Sequence, residues 1–232
     1  MDIKKLDIIY GMIQNNYIDG VAVAIDIIKP VGKNNVRTMK KMKECIGITI
    51  HNTGNPSKTA DDEMHSNWMK RVEREDKKYV SAHFFVDDDS ITQIIPIDEV
   101  AYHAGDGHGD GNYKTIAIEI CENGDMKKAE ENAIRLAASL IKTYPHLKIY
   151  KHQDWSGKYC PRALLMENRW ESFKDSVLKA VNPVSEIEPY KLEGLDFLWN
   201  EKLITDKELW LKNIDNPVPI WAIGLILKRA VK

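Results

Sequence analysis

Two short runs with alternating isoleucines place the strongest constraint on the fold. They are Ile46-Gly47-Ile48-Thr49-Ile50-His51 and Thr115-Ile116-Ala117-Ile118-Glu119-Ile120-Cys121. Side chains of a β-strand alternate between its two faces, so the isoleucines of each run share one face. His51 and Glu119 project from the opposite face, near the end of each run. Open α/β sheets carry their binding sites at such strand ends, which makes both residues candidate site residues.

The order of the other patterns predicts an α/β fold. Residues 21–28 are β-like, residues 81–86 and 91–97 flank a turn and indicate a hairpin, and residues 147–150 form a short strand. Three helices are predicted: one over about 60–78, one from Asn123 or Asp125 to about Thr143, and a final helix of the main domain that ends at Val181. We therefore expect a central mixed sheet of about five or six strands with helices on both faces.

Three local patterns are interpreted as helix signals. Apolar residues at near-helical spacing predict a weak helix over residues 1–18. Thr59 is interpreted as the N-cap of the next helix, with Asp62 completing a capping box, and Thr205 with Glu208 as the same motif near the C-terminus. The first of these two helices is expected to bury one stripe, made of Ala60, Met64, Trp68 and Val72.

The sequence divides into two parts at a polar segment that contains prolines. We expect a main domain at 1–182, with its core at about 27–181, a linker at 183–189 and a small all-α module at 190–232. The module has room for two or three short helices, which is near the lower limit for independent stability.

Charge and cysteine content exclude several classes of protein. With 33 basic and 35 acidic residues the net charge is −2, so no overall basic field indicates nucleic-acid binding. Three cysteines are a sparse, odd count that argues against a disulfide-built scaffold. No apolar run approaches the length of a membrane span. The first residues never form the apolar segment of a signal peptide, so we expect synthesis in a cytoplasm.

A histidine and a cysteine, His152 and Cys160, flank a polar loop and are both good zinc ligands. His51 is a third candidate. Three protein ligands leave a fourth tetrahedral position open, as in catalytic zinc sites. Spacing alone leaves the ordinary alternative open, because most histidines are polar residues without a metal and most lone cysteines are buried small hydrophobes.

Glu119 is a lone carboxylate in an apolar strand, which is costly to bury unless it is paired or used. It can form an ion pair or accept backbone hydrogen bonds, or it can serve as a general base whose pKa is raised by burial. The Gly/Asp-rich loop at 104–112 hints at calcium, but it lacks the ligand spacing and terminal glutamate of a calcium loop.

Four segments occur in an order that resembles a known family. They are Ile48-Thr49-Ile50-His51-Asn52-Thr53, Tyr102-His103-Ala104-Gly105-Asp106-Gly107, residues 116–121 and Lys151-His152-Gln153-Asp154-Trp155-Ser156-Gly157-Lys158-Tyr159-Cys160-Pro161. Together they resemble the zinc-dependent N-acetylmuramoyl-L-alanine amidases of the peptidoglycan-recognition-protein type, in particular phage endolysins and related autolysins of Gram-positive hosts. The resemblance runs from about Ile27 to Val181.

The resemblance implies a role for each matched residue. His51, His152 and Cys160 would bind one zinc ion, Glu119 would act as general base, and Lys158 would stabilise the oxyanion. Asp154 and Trp155 would fix the ligand loop. Substrate contacts are expected from a further group: Asn52, Thr53, His83 and His103. The chain departs from part of the family at Ala82, where some members carry a tyrosine, so that tyrosine's role is absent or supplied elsewhere.

The implied activity is hydrolysis of the amide between N-acetylmuramic acid and L-alanine in bacterial peptidoglycan. Without a signal peptide, we expect release to the wall through a holin-type membrane hole. The module at 190–232 can bind wall, associate with itself or dock on the main domain, although core packing accounts most simply for its apolar residues. Three alternatives stay open: a non-catalytic peptidoglycan-binding module, a sporulation or autolysis amidase, and a regulatory protein that binds another macromolecule.

Overall fold

A computed structural model describes residues 1–31, 36–75, 79–182, 189–214 and 216–230. Their contacts divide the chain into two compact units, Met1–Asn182 and Pro183–Lys232. The predicted linker falls almost wholly on residues 183–188, which lie outside the described ranges.

The first unit is built around one mixed sheet. The strands of this unit are β1 (Ile8–Ile9), β2 (Met12–Ile13), β3 (Tyr17–Ile18), β4 (Val21–Ile25), β5 (Gly47–Asn52), β6 (Phe84–Val86), β7 (Ser90–Gln93), β8 (Thr115–Ile120) and β9 (Lys148–Lys151). Strands β1 and β2 form a separate N-terminal hairpin. Among the described residues the sheet has seven strands in the order β3-β4-β7-β6-β8-β5-β9, where five or six were expected. The additional strand is the short β3 at one edge.

The centre of the sheet is parallel. Strand β5 pairs in parallel with β8 on one side and with β9 on the other, and β8 pairs in parallel with β6. The predicted hairpin is β6 with β7, which are antiparallel. Because parallel strands end at the same edge, the residues that follow β5, β8 and β9 are brought together there.

Helices cover both faces of the sheet, as expected. They are α1 (Asp62–Glu75), α2 (Asp110–Lys114), α3 (Met126–Thr143), α4 (Gln153–Ser156), α5 (Arg162–Met166) and α6 (Trp170–Val181). The isoleucines of β5 and β8 pack in one buried cluster with residues of α3 and α6, such as Leu140 and Val177. Ala117, on the opposite face of β8, and Cys121, which directly follows this strand, cluster with Met69 of α1. This arrangement leaves His51 and Glu119 on the α1 side of the sheet.

The predicted helix over residues 1–18 is wrong, because this segment forms two tight hairpins. Tyr10 and Gly11 link β1 to β2, and Asp19 and Gly20 link β3 to β4. All four residues have positive φ, from 45° to 86°. Two-residue turns of this kind match the twist of the flanking strands, and Asp-Gly is a preferred sequence for them. The turn residues therefore outweigh the helical spacing of the apolar residues.

In both predicted capping boxes, the residue that caps the helix is not the predicted threonine but an aspartate closer to the helix. In α1 the N–H of Met64 donates to Asp61 Oδ1 at 2.7 Å, so Asp61 caps the helix in place of Thr59. The helix buries His65, Met69 and Val72, whereas Met64 and Trp68 are only partly buried. In the second unit Asp206, not Thr205, accepts from the N–H of Leu209 at 2.9 Å. The aspartate nearer the helix supplies the cap in both places.

The second unit contains the expected short helices, α7 (Pro189–Asn200), α8 (Lys207–Lys212) and α9 (Ile220–Ala230). Leu195, Leu203 and Ala222 are buried within it, whereas Phe197 and Trp199 are exposed. Core packing therefore accounts for only part of its apolar content. No helix within the described ranges is long and apolar enough to cross a membrane.

Candidate metal centre

The three predicted metal ligands converge at one edge of the sheet. His51 is near the carboxyl end of β5, and His152 directly follows the neighbouring strand β9. The N–H of His152 donates to the carbonyl of Ile50 at 3.3 Å. Cys160 returns to the same place because the N–H of Gln153 donates to its carbonyl at 3.1 Å. The sheet and this loop together bring three distant side chains into one buried cluster.

The ligand atoms face one another closely. Nδ1 of His51 is 2.9 Å from Nδ1 of His152 and 3.8 Å from Sγ of Cys160. All three ligand atoms lie within 4.8 Å of one another. Zinc bond lengths place the ligand atoms of a tetrahedral site about 3.3–3.6 Å apart. The observed separations bracket this spacing, so the cluster fits a single ion.

The chemistry of the donors fits as well. Burial holds the pKa of His51 well below its usual value and lowers that of His152 to about 4, so both imidazoles are neutral at pH 7 and keep a lone pair for a metal. Burial, with the nearby charge of Glu119, raises the pKa of Cys160 to about 11. A thiolate there needs a cation beside it. The residues therefore form a group that could hold a metal ion.

Glu119 lies beside these ligands. It pairs in register with His51 across β5 and β8, and its Oε1 is 4.0 Å from Nδ1 of His51. Burial raises the pKa of Glu119 to about 7, and Lys158 opposes this shift through its positive charge. Oε2 is buried without a hydrogen-bond partner among the described residues. A carboxylate in this position is free to exchange a proton near neutral pH.

The ligand loop is fixed by Asp154 and Trp155. Asp154 accepts from the N–H of Lys151 at 2.9 Å and pairs with its Nζ at 2.6 Å. The indole N–H of Trp155 donates to Thr49 Oγ1 at 2.9 Å, which ties the loop to β5. Lys158 follows Gly157, which has φ of 75° and ends α4. Its side chain is exposed and lines the groove above the cluster.

His103 is buried against the metal cluster. Its Nδ1 is 3.0 Å from Nε2 of His51, and the two rings meet edge to face. The backbone of the predicted Gly/Asp-rich loop holds it in place, because Asn112 Oδ1 accepts from the N–H groups of His103 and Ala104. Asp106 accepts from the backbone N–H groups of Gly111 and Asn112, at 2.7 Å and 3.2 Å.

His83 lies outside the groove, contrary to the substrate contact expected of it. The side chain is fully buried, its Nε2 donates to the carbonyl of Glu99 at 2.9 Å, and its Nδ1 accepts from the N–H of Ala117 at 2.9 Å. Both ring nitrogens are therefore occupied by backbone groups. This arrangement matches the satisfied, buried histidine that is common in protein interiors.

Asn52 and Thr53 carry polar atoms that have no partner. Asn52 Oδ1 accepts from the N–H of Ala163 at 3.1 Å, which leaves Nδ2 buried and unpaired among the described residues. Asn52 lines the groove. Thr53 Oγ1 is also buried without a partner in the described chain, but Thr53 is not among the groove residues.

The groove above the cluster has a volume of about 770 Å³. Part of its wall was not foreseen from the sequence: Tyr79, Val80, Ser81, Tyr102 and Ser156. Ser156 is the last residue of α4, and the others come from loops and have no periodicity. Tyr102 could have been predicted from the sequence, since it directly precedes His103 in one of the four segments that carry the family resemblance. The ring of Tyr79 meets that of Tyr102 edge to face, with centroids 5.6 Å apart.

Comparison with known sequences gives one family over this region. The family model described as N-acetylmuramoyl-L-alanine amidase (Amidase_2) matches residues 42–163. The chain is 45% identical over 147 residues to the N-acetylmuramoyl-L-alanine amidase CwlH of Bacillus subtilis (strain 168), covering 61% of this chain and 56% of that protein. It is 42% identical over 152 residues to the amidase XlyA of the same organism, covering 64% and 48%. The chain thus spans about half the length of these relatives.

Solved structures agree with the fold. The catalytic domain of XlyA superposes with a TM-score of 0.60 at 40% identity, covering 68% of this chain and 99% of that one. The catalytic domain of PlyG gives a TM-score of 0.61 at 32% identity, covering 73% and 99%. The mixed sheet flanked by helices that the sequence predicted is therefore confirmed.

Proposed function

Because this chain belongs to the N-acetylmuramoyl-L-alanine amidase family, we propose that it is a zinc-dependent peptidoglycan hydrolase. The bond cleaved is the amide between the lactyl carbonyl of N-acetylmuramic acid and L-alanine of the stem peptide. The observation that carries the proposal is the convergence of His51, His152 and Cys160 beside Glu119, at the floor of an open groove.

A zinc ion would be held by the imidazoles of His51 and His152 and the thiolate of Cys160. When bound, zinc supplies Lewis-acid polarisation of a carbonyl and lowers the pKa of water. Histidine and cysteine together favour zinc over calcium or magnesium, which prefer oxygen ligands.

Glu119 acts as the general base and acid. Its carboxylate takes the proton of the attacking water and later delivers that proton to the departing alanine amine. A pKa near 7 suits both transfers at neutral pH, because the group is then able to bind and release a proton. The unpartnered Oε2 atom supports this role, since no described neighbour competes for it.

Lys158 stabilises the negative charge that develops on the carbonyl oxygen. It is on the loop that ends at Cys160, so the segment that supplies a ligand also supplies an ammonium group to the groove. A cation aimed at the developing oxyanion is favoured where water is partly excluded. Asp154 and Trp155 hold this loop in place through their contacts with Lys151 and Thr49.

Substrate contacts are proposed for three residues. Asn52 lines the groove and has a buried amide nitrogen with no partner among the described residues, so it is suited to donate to a peptide carbonyl. Thr53, next in sequence, has a buried hydroxyl that becomes satisfied if substrate or water reaches it. His103 lines the groove, and its buried Nε2 has no partner among the described residues, so it is suited to bond to substrate.

The biological setting that fits best is a phage or prophage endolysin of a Gram-positive host, with release through a holin-type membrane hole. CwlH and XlyA, to which the chain is similar, come from Bacillus subtilis. The second unit is proposed to bind peptidoglycan or to associate with itself through its exposed apolar residues, such as Phe197 and Leu227.

The test is digestion of purified cell wall by the full-length protein. The expected result is release of stem peptides with a new amino-terminal L-alanine and no new reducing sugar ends. A chelator should abolish the activity and added zinc should restore it. Binding to wall without release of peptide would instead support a non-catalytic binding module. Failure both to bind wall and to cleave it would contradict the proposal.

A further inference from the structure

Both ring nitrogens of His51 are engaged inside the protein. Nδ1 faces His152 and Cys160, at 2.9 Å and 3.8 Å, and Nε2 is 3.0 Å from Nδ1 of His103. His51 and His103 are both buried. The contact between Nε2 and Nδ1 is thus shielded from water. A hydrogen bond there is stronger than in water, and leaving either nitrogen unpaired costs more free energy.

His103 is held rigidly enough to orient a neighbour. Asn112 Oδ1 accepts from the N–H of His103 at 2.7 Å and from the N–H of Ala104 at 2.8 Å. Asn112 is itself fixed, since its Nδ2 donates to the carbonyl of Gly107 at 2.9 Å. The backbone that carries the His103 ring is therefore anchored by the loop rather than by the metal cluster.

The proton positions follow from the contacts. A hydrogen bond between two neutral rings needs one donor and one acceptor. If Nδ1 of His51 offers its lone pair to a metal, the proton of His51 resides on Nε2. His103 Nδ1 must then accept, and the proton of His103 resides on its Nε2. Among the described residues this Nε2 is buried and has no hydrogen-bond partner.

We propose that His103 is a positioning residue for the metal centre: its Nδ1 accepts the Nε2 proton of His51 and so fixes the tautomer and ring orientation of that ligand. The inference rests on the proposed function in taking the metal as zinc. Partners of this kind commonly affect metal affinity by about 10–100-fold, because they hold the ligand ring in its binding orientation.

The test compares zinc affinity among full-length variants that place a hydrogen-bond acceptor at different positions on residue 103. Asparagine places its amide oxygen where histidine has Nδ1, whereas glutamine reaches to the position of Nε2. His103→Asn should stay within about tenfold of wild type in the zinc dissociation constant, whereas His103→Gln and His103→Phe should weaken it by about 10–100-fold. A chromophoric chelator in competition gives these constants without any use of catalytic activity.

Two further measurements separate positioning from general damage. His83→Gln is the matched control, because His83 is a buried histidine bonded to backbone groups and not to His51; its zinc affinity should equal that of wild type. The absorption of the cobalt(II)-substituted protein should change in His103→Gln and stay unchanged in His103→Asn. If His103→Phe does not fold, the comparison of His103→Asn with His103→Gln still tests the role of His103.

Equal zinc affinities for wild type, His103→Gln and His103→Asn would overturn the role of His103 while leaving the proposed function intact. An equal loss in His103→Asn and His103→Gln would also overturn it, since the position of the acceptor would then not matter. Wild-type protein that binds no zinc would overturn the proposed function itself.

Discussion

His51 and Glu119 lie directly opposite each other on adjacent parallel strands, with Nδ1 and Oε1 4.0 Å apart. One side chain is a metal-ligand candidate and the other a carboxylate with its pKa raised to about 7 by burial. Strand register alone fixes this pairing, because a shift of one residue would turn either side chain into the isoleucine core. The metal group and the proposed base are therefore positioned by the paired strands β5 and β8.

Glu119→Gln should lower the rate of wall hydrolysis by about 10²–10⁴-fold, because the amide cannot take up the proton of water. Zinc content should be unchanged, since Glu119 is not one of the three ligands. Initial rates and metal analysis of the same samples provide the measurement. Glu63→Gln, on the exposed face of α1, is the control and should keep full activity. Turnover equal to wild type in Glu119→Gln would remove the residue from the mechanism.

Lys158→Ala should reduce kcat by about 10²–10³-fold with a small change in KM, because the cation acts on charge that develops in the transition state. Lys158→Arg keeps the charge and should recover part of the rate. Lys148→Ala serves as the comparison, since Lys148 is an exposed lysine on β9 that does not line the groove. An unchanged kcat in Lys158→Ala would exclude the oxyanion role.

His83 predicts a specific pH dependence of stability. Burial lowers its pKa from 6.5 to about 4, so the unfolded chain takes up a proton between these values that the folded chain excludes. Stability from this group is complete above pH 6.5 and is lost as the pH falls toward 4, by about 3 kcal/mol. In His83→Gln the free energy of unfolding should fall less steeply over this range, as measured by urea unfolding. Parallel curves for His83→Gln and wild type would contradict the assignment.

The hydrogen bond from Trp155 to Thr49 should be worth about 1 kcal/mol of unfolding free energy. A double-mutant cycle with Trp155→Phe and Thr49→Val isolates it, because each change removes one partner and keeps most of the side-chain volume. The same cycle, read out as zinc affinity, measures how far the bond positions the ligand loop. Additive effects of the two substitutions on unfolding would show that the bond contributes nothing to stability.

Ending the chain at Asn182 tests the role of the second unit. The shortened protein should cleave a soluble muramoyl peptide at the wild-type rate, because the groove and ligands belong to the first unit. On whole wall its activity should fall by about tenfold or more if the second unit binds wall, since two linked sites raise the effective concentration. Sedimentation of the full-length protein reports self-association separately. Equal activity of both forms on whole wall would exclude a wall-binding role.

The amino-acid sequence by itself determined the strands with alternating isoleucines, the helix that begins after Asp125, and the candidate ligands at the strand ends. These features follow from the periodicity of side chains along a strand or helix, which is a local property. The sequence pattern failed at residues 1–18, where the positive-φ turn at Tyr10 and Gly11, and the one that directly follows at Asp19 and Gly20, replaced the predicted helix by hairpins.

Only the tertiary structure decided which histidines meet. His51 contacts both His103 and His152 across long stretches of chain, whereas His83 is turned into the interior and bonds to backbone groups. No local pattern distinguishes these residues, because the difference depends on strand register and on the loop held by Asn112. Contacts between distant segments are fixed by the packing of the whole sheet, and the metal cluster and its supporting histidine are a product of that packing.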